Sequence, residues 1–181
     1  MQVISGKFRA RRLKSPDSAR PTLQRIKIST FSLINEFVKG DINVLDLFAG
    51  SGALGIECIS RCAKFVQFVE RDKMAVSCIN QNLRGIDSSL FSVLNTEYID
   101  ALKSLRNGTR KFDIVFIDPP YESGYYGPAV EILTRYDLVA DGGILVLEMN
   151  KSSVFKFDDK KYSLYKEREY GITKIMILRK I

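Results

Sequence analysis

Length, composition and charge place this chain among globular proteins with one domain. Its 181 residues are 45% hydrophobic, enough for one core and too few for two, and no apolar run approaches the roughly 18–20 residues of a membrane span. The start of the sequence lacks the apolar segment of a secretory signal, and the three cysteines form no CxxC pair, so we expect a cytoplasmic protein without disulfides. The chain has no histidine, and the thiols of Cys58 and Cys62 have no third ligand nearby in the sequence, so we expect no metal site.

The net charge is concentrated at the N-terminus. Residues 1–27 carry eight lysines and arginines and one aspartate, a net charge of +7 that equals the net charge of the whole chain. The remaining residues are therefore neutral in sum. A basic segment attached to a neutral body is typical of polyanion binding, because charges that only improve solubility would be spread along the chain. The segment predicts contact with nucleic acid.

The spacing of apolar residues predicts the secondary structure in chain order. Val3-Ile4 and residues 8–13 indicate a short basic hairpin that turns near Gly6, and residues 22–39 have the spacing of an amphipathic helix that ends at Gly40. Seven apolar runs then indicate strands, with helical segments between the first five. The strands are residues 44–48, 65–70, 91–94, 112–117, 144–148, 163–167 and 172–178, and the helices are residues 55–61, 73–83, 98–105 and 128–136.

This alternation predicts a parallel sheet with helices on both faces. Only a turn at Tyr170-Gly171 separates the last two strands, so they should form a hairpin that adds one antiparallel strand. We therefore expect an α/β fold with a Rossmann-like seven-stranded sheet. The main domain should comprise residues 22–181, preceded by a basic arm of residues 1–21.

The first chemical motif follows the first predicted strand. It begins at Asp46 and includes Gly50-x-Gly52-x-x-Gly55, which lets the backbone approach a ligand where a strand leads into a helix. Glu70 follows at about the 20-residue spacing of the dinucleotide-binding fingerprint. A dinucleotide is nevertheless disfavoured, because the Asp46 carboxylate would repel its pyrophosphate. S-Adenosylmethionine suits the site better, because it has a cationic sulfonium and ammonium group and no phosphate.

Acidic residues also follow the next two predicted strands. Glu70 is placed to accept hydrogen bonds from both ribose hydroxyls, while Glu97 and Tyr98 are alternatives for the adenine contact. Three carboxylates at one edge of the sheet predict a site for S-adenosylmethionine. The candidate cofactor-binding residues are Asp46, Ala49, Gly50, Ser51, Gly52, Glu70, Arg71, Glu97, Tyr98 and Asp118.

The second motif, Asp118-Pro119-Pro120-Tyr121, follows the fourth predicted strand. Its two prolines stiffen the backbone and direct the Asp118 carboxylate and the Pro119 carbonyl into one space as paired acceptors. The exocyclic amine of a purine or cytosine has two matching N–H donors. Holding both favours the sp³-like nitrogen that accepts a methyl group, and Tyr121 offers a ring for base stacking. These four residues are the candidate catalytic residues.

The two motifs resemble the amino-methyltransferases that act on adenine N6, cytosine N4 or guanine N2. Within that group, residues 3–13, followed by Arg20-Pro21-Thr22 and Arg25-Ile26-Lys27, are similar to the bacterial 16S rRNA guanine-N2 methyltransferases of the RsmD type. The resemblance covers most of the chain in the expected order. One departure is Ala10, where the family usually has glycine.

The resemblance implies a class I methyltransferase fold with a reversed last strand. It also implies that S-adenosylmethionine is the methyl donor and that the substrate is a guanine of small-subunit rRNA within a ribosomal particle. The arm would contact the RNA, and we expect a monomer. The candidate RNA-binding residues are Lys7, Arg9, Arg11, Arg12, Arg20, Thr22 and Arg25.

Three other functions remain as alternatives at this point. A DNA adenine-N6 methyltransferase would share both motifs, but such enzymes usually need a target-recognition domain, for which 181 residues leave no room. A dehydrogenase would need a substrate domain and a hydride-handling acid or base. A non-catalytic RNA-binding module would explain the basic arm but not residues 118–121, and calorimetry with S-adenosylmethionine would distinguish it from an enzyme.

Overall fold

An open seven-stranded sheet organises the computed structural model, which describes residues 1–15, 24–120 and 124–181. Its strands are β1 (Asn43–Asp46), β2 (Phe65–Glu70), β3 (Phe91–Asn95), β4 (Phe112–Ile117), β5 (Val139–Asn150), β6 (Tyr162–Tyr170) and β7 (Thr173–Lys180). Its helices are α1 (Gln24–Leu33), α2 (Ala53–Ser60), α3 (Lys73–Asn82), α4 (Tyr98–Leu105) and α5 (Tyr126–Arg135).

The strand order is β3-β2-β1-β4-β5-β7-β6. Strands β1 to β5 pair in parallel, and β7 lies antiparallel between β5 and β6. The predicted sheet, with one antiparallel strand supplied by a C-terminal hairpin, is confirmed. Because parallel strands need crossovers, the helices cover both faces.

The helices pack against the sheet through two hydrophobic layers, one on each face of the sheet. One layer joins α1, α2 and the N-terminal residues to the sheet through side chains such as Phe31, Ile56 and Phe116. The other joins α4 and α5 to the opposite face through side chains such as Leu102 and Leu133. The carboxyl ends of β1, β2 and β4 therefore lie at one edge between two helical layers.

The bounds of some elements differ from the prediction. Helix α1 ends at Leu33 and continues as turns, while the predicted start at residue 22 lies outside the described residues. Strand β1 ends at Asp46, two residues early, because Leu47 and Phe48 already turn toward the glycine loop. Strand β5 is longer than predicted because it continues across Gly142, whose φ of 72° accompanies a register shift against β4.

The N-terminal residues form the predicted hairpin and pack onto the domain. An antiparallel bridge joins Gln2 to Arg12, and the turn includes Gly6 with a φ of 82°. A Cβ at Gly6 would lie 1.8 Å from the carbonyl oxygen of Ser60, so only glycine allows this approach to α2. Val3 and Leu13 are buried in the core. The predicted boundary between residues 21 and 22 lies outside the described residues.

Ala10 has a φ of 68°, in the left-handed region. Its amide donates to the Val3 carbonyl at 2.9 Å, which closes the hairpin. An alanine in this conformation is strained, because its Cβ approaches the following carbonyl oxygen. Alanine at this position, in place of the glycine usual in similar sequences, therefore lowers the stability of this turn.

Candidate active site

A cavity of about 440 Å³ opens at the carboxyl ends of the central strands. The chain order of the strands reverses between β1 and β4, so the loops that follow these two strands diverge. Open α/β sheets bind ligands at such a switch point. The volume is in the range of small-molecule and cofactor sites.

Nine of the ten candidate cofactor-binding residues line this cavity. The exception is Gly52, which caps α2 with a φ of 75°, and a Cβ at this position would lie 3.3 Å from the Phe68 ring and 3.4 Å from Ile79. Its role is to let the chain turn and to bring α2 close to the sheet. The nine residues are Asp46, Ala49, Gly50, Ser51, Glu70, Arg71, Glu97, Tyr98 and Asp118. That each binds a cofactor stays a prediction.

The three glycine amides of the loop are already hydrogen bonded within the protein. Gly50 N–H donates to Glu70 Oε2 at 2.8 Å, and Gly55 N–H donates to Asp46 Oδ2 at 3.0 Å. Gly52 N–H donates to the Ala49 carbonyl at 2.7 Å. A phosphate-binding loop would keep such amides for the ligand. Here the carboxylates of Asp46 and Glu70 already accept hydrogen bonds from two of these amides, so the loop is unsuited to pyrophosphate.

Asp46 is a buried carboxylate in the cavity wall. Its side chain follows β1, and the residue is 2% exposed. Burial raises its pKa from 3.8 to about 7, the Gly55 hydrogen bond lowers it, and the negative charge of Glu70 raises it further. Such a group is stabilised in its ionised form by a nearby cation. The site therefore favours a ligand that brings positive charge.

Glu70 at the end of β2 fixes the loops on either side of it. Besides Gly50, it accepts a hydrogen bond from the Asp72 amide to Oε1 at 2.9 Å. Each carboxylate oxygen can accept a further hydrogen bond. Glu70 is therefore held in place by the backbone and can still receive hydroxyl donors from a ligand in the cavity.

Aromatic and charged side chains form the far wall of the cavity. Tyr98 is buried and packs against the rings of Phe48 and Tyr125, each with centroids 5.2 Å away. Arg71 Nη1 lies 3.3 Å from Glu97 Oε1, and Arg71 also bonds Tyr125. The pKa of Arg71 is raised, mainly because its side chain is hydrogen bonded to Glu97 and is close to the negative charge of that carboxylate.

Two aromatic residues of this wall, Phe48 and Tyr125, were not predicted from the sequence as site residues. The rings of these two residues are nearly parallel, with centroids 6.0 Å apart and an interplanar angle of 7°. Phe48 lies within the glycine motif, and the candidate site residues on either side of it in the sequence could have indicated that it borders the site. Tyr125 follows the Pro-Pro turn, in a segment without a regular spacing of apolar residues, so the sequence does not predict where its side chain lies.

Asp118 follows β4 and lines the same cavity. It is half-buried, Pro119 is buried and Pro120 is exposed, and all three border the cavity. Tyr121 lies outside the described residues. Glu148 of β5 also lines the cavity and was not predicted. The only sequence signal for it is an acid within an otherwise apolar run.

The N-terminal hairpin reaches this cavity, since Met1 and Ser15 also line it. Among the candidate RNA-binding residues, Arg11 is half-buried, and one of its guanidinium nitrogens donates to the Arg84 carbonyl. Arg20 and Thr22 lie outside the described residues. The exposed candidates are Lys7, Arg9, Arg12 and Arg25.

Lys27 contributes to the charge of the basic segment but does not face solvent. Its side chain is 0% exposed, and its Nζ lies 3.0 Å from Glu57 Oε2. Burial lowers its pKa, an effect that the Glu57 carboxylate opposes. Lys27 is therefore a structural residue.

Within residues 1–15, 24–120 and 124–181, no three histidine, cysteine, aspartate or glutamate side chains are grouped to hold a metal ion. No helix in these ranges is long and apolar enough to cross a membrane.

Comparisons with known proteins give consistent matches along the chain. A family model described as "Conserved hypothetical protein 95" matches residues 1–179. The chain is 31% identical to "Putative rRNA methyltransferase YlbH" of Bacillus subtilis over 99% of both chains. It is 30% identical to "Ribosomal RNA small subunit methyltransferase D" of Escherichia coli, covering 94% of this chain and 85% of the relative. The solved structure "Putative methyltransferase yhhF from Escherichia coli" superposes with a TM-score of 0.86 at 27% identity, covering 99% of this chain and 97% of that one.

Proposed function

Because the chain belongs to the Conserved hypothetical protein 95 family, which is the RsmD family, we propose that it transfers a methyl group from S-adenosylmethionine to the exocyclic N2 amine of a guanine in 16S rRNA. One observation carries this proposal. A single cavity joins an acid-lined loop, whose glycine amides are already bonded, to the Asp118-Pro119-Pro120 turn.

The residues of the loop side suit S-adenosylmethionine. The donor supplies an electrophilic methyl group on a positively charged sulfur. Asp46 and Glu70 bring negative charge to the cavity. Among the described residues that line it, Arg71 is the one arginine or lysine, and its side chain is paired with Glu97. Glu70 is the residue for the ribose hydroxyls, and Glu97 or Tyr98 is the residue for adenine.

Asp118 and Pro119 act on the amine that receives the methyl group. The nitrogen lone pair is delocalised into the base, which makes the amine a poor nucleophile. Two fixed acceptors, the Asp118 carboxylate and the Pro119 carbonyl, hold the two N–H groups and favour a pyramidal nitrogen. They also stabilise the positive charge that develops there, and the released proton passes to water or to the carboxylate.

Relatives and charge together support rRNA as the substrate. Members at 30–31% identity are named as rRNA methyltransferases, and the match extends along nearly all of this chain. The exposed basic residues of the hairpin lie on a segment that also borders the cavity through Met1 and Ser15. RNA held by the hairpin would therefore lie beside the Asp118 turn.

Mapping of methylated nucleosides tests the proposal. Small-subunit rRNA from cells with and without the protein is digested and compared by mass, and one N2-methylguanine is expected to be lost in its absence. The purified protein should restore it with S-adenosylmethionine. A change confined to N6-methyladenine in DNA would support the DNA methyltransferase alternative. Absence of any donor binding in calorimetry would support the non-catalytic module.

A further inference from the structure

The cavity contains a second carboxylate on its substrate side, at Glu148. Strands β4 and β5 are parallel neighbours, and their register pairs Ile117 with Leu147. The next residues along the two strands, Asp118 and Glu148, are therefore side by side, and both line the cavity. Register partners in a parallel pair project toward the same face of the sheet.

That face is the one covered by the N-terminal hairpin. Phe116 and Val146 precede Asp118 and Glu148 by two residues and belong to the layer that includes Val3 of the hairpin. Since side chains alternate along a strand, the two carboxylates are on the hairpin side. A base presented by RNA on the hairpin would meet this pair.

Glu148 is distant from Glu70, the candidate residue for the ribose hydroxyls. Its strand is three positions from β2, where Glu70 lies, which corresponds to roughly 14 Å across the sheet. It is also held rigidly, because β5 is paired on both sides and the Tyr126 hydroxyl donates to the Glu148 carbonyl at 2.6 Å. Glu148 therefore belongs to the substrate end of the cavity.

Hydrogen-bond chemistry distinguishes guanine from the other bases that carry an exocyclic amine. In guanine the N2 amine is beside N1–H, a second donor. In adenine and cytosine the ring nitrogen beside the amine is an acceptor. A carboxylate next to the Asp118 acceptor would bind N1–H of guanine, whereas it would face the lone pair of the other two bases.

We propose that Glu148 is the specificity-determining residue for the base, accepting N1–H of the target guanine while Asp118 and Pro119 hold its N2 amine. The inference rests on the proposed function, because it assigns a role within that reaction. Glu148 binds and orients the base and takes no part in the bond changes of methyl transfer.

The experiment replaces the target guanine with 2-aminopurine. This base keeps the exocyclic amine but has a lone pair at N1. Small subunits are reconstituted around 16S rRNA that carries either base at the mapped position, and single-turnover transfer and binding are measured. The wild-type protein is expected to prefer guanine by about 10–100-fold, the usual range for one charge-assisted hydrogen bond.

Glu148→Gln keeps the size of the side chain but removes its charge, and its amide can donate to the N1 of 2-aminopurine. Its amide oxygen can still accept N1–H without the charge, so we expect a loss of about 5–10-fold on guanine and little change on 2-aminopurine, and the preference falls in both rate and binding. Glu169→Gln, the same change on exposed β6, should retain the wild-type preference. Melting temperature and donor affinity confirm that each variant is folded.

The possible failures are distinguishable. No methyl transfer to guanine by the wild-type protein would refute the proposed function. Transfer to guanine with an undiminished preference in Glu148→Gln would overturn only the role of Glu148. Equal rates of the wild-type protein on guanine and 2-aminopurine would also overturn the role of Glu148. This comparison does not depend on whether the variant folds.

Discussion

Asp46 is ionisable near neutral pH, and this should be visible in donor binding. Burial raises its pKa to about 7, so a large share of the free protein carries a neutral carboxyl at pH 6. A cationic donor binds better to the ionised form. We expect the affinity for S-adenosylmethionine, measured by calorimetry, to increase by about tenfold between pH 6 and pH 8. An affinity that is constant across this range would contradict the assignment.

Asp46→Asn is the control for this prediction. Because the folded-state pKa is raised above 3.8, the folded protein binds a proton more tightly than the unfolded chain, and stability falls as pH rises from about 4 to 7. Asparagine cannot ionise and keeps an acceptor for Gly55 N–H. The variant should lose the pH dependence of donor affinity and, at pH 8, have a free energy of unfolding above that of the wild-type protein by about 1–4 kcal/mol.

Asp118 should affect turnover more than binding. Its interaction with the amine strengthens as positive charge develops on the nitrogen, so it acts mainly in the transition state. We expect Asp118→Ala to lower the single-turnover rate of methyl transfer by about 10²–10³ and to have a smaller effect on donor affinity. Asp100→Ala, on an exposed position of α4, is the control. Near-normal transfer by Asp118→Ala would refute the role of this carboxylate.

At the scale of elements, the sequence predicts the sheet better than the site. Apolar runs separated by helical segments were sufficient to predict the five parallel strands, because a buried parallel strand needs a continuous apolar run, and the turn at Tyr170-Gly171 was sufficient to predict the C-terminal hairpin. The bonding of the glycine amides to Asp46 and Glu70 was not predictable, because it depends on the approach of separate strands. Glu148 was missed for the same reason, since only the β4–β5 register brings it beside Asp118.

The hairpin was predicted as a basic arm, and its charge concealed its packing. Its two buried residues, Val3 and Leu13, are too few to give a recognisable apolar pattern. Their burial changes the experiment that tests RNA binding. Deletion of residues 1–20 would remove core side chains as well as Met1 and Ser15 from the cavity. Charge substitutions are the cleaner test.

Ala10→Gly should stabilise the protein. Ala10 has a φ of 68°, where glycine has no Cβ penalty. We expect the free energy of unfolding, from urea denaturation, to increase by about 1 kcal/mol, with the greater freedom of glycine in the unfolded chain reducing the gain. Ala129→Gly, inside α5, should have the opposite sign. A loss of stability in Ala10→Gly would contradict the strain at this turn.

Neutralising the hairpin should weaken RNA binding through phosphate contacts. Lys7, Arg9 and Arg12 are exposed and none of their side chains belongs to the core, so replacing all three with glutamine should leave the fold intact. We expect lower affinity for small subunits, and a slope of log affinity against log salt reduced by about 2–3. Donor affinity should be unchanged.

The matched control carries the same loss of charge on the opposite face of the sheet, at Lys103, Arg106 and Arg135. It should retain the wild-type salt dependence. If both triple variants bound RNA equally well, the hairpin charges would serve solubility and not recognition.

At the scale of the whole molecule, one buried carboxylate joins the hairpin to the domain. Glu57 of α2 accepts hydrogen bonds from the Ile4 and Ser5 amides at 2.8 and 3.0 Å. It also pairs with Lys27 of α1 at 3.0 Å and with Arg61 at 2.9 Å. The proposed RNA-binding segment and the wall of the cavity are therefore fixed to each other by a network centred on two fully buried charges, Lys27 and Glu57.

The two buried charges of this network should be coupled in their effect on stability. Glu57→Gln leaves the buried Lys27 ammonium without its counter-charge, and we expect a loss of about 3–5 kcal/mol in the free energy of unfolding. Lys27→Met should also destabilise the protein, but less, because Arg61 and two amides still compensate the Glu57 carboxylate. The double variant should recover much of the loss of Glu57→Gln, since neither charge is then left buried alone. Urea denaturation of the four proteins measures the coupling. If the two losses simply added, Lys27 and Glu57 would contribute to stability independently, and the buried ion pair would have no coupling energy.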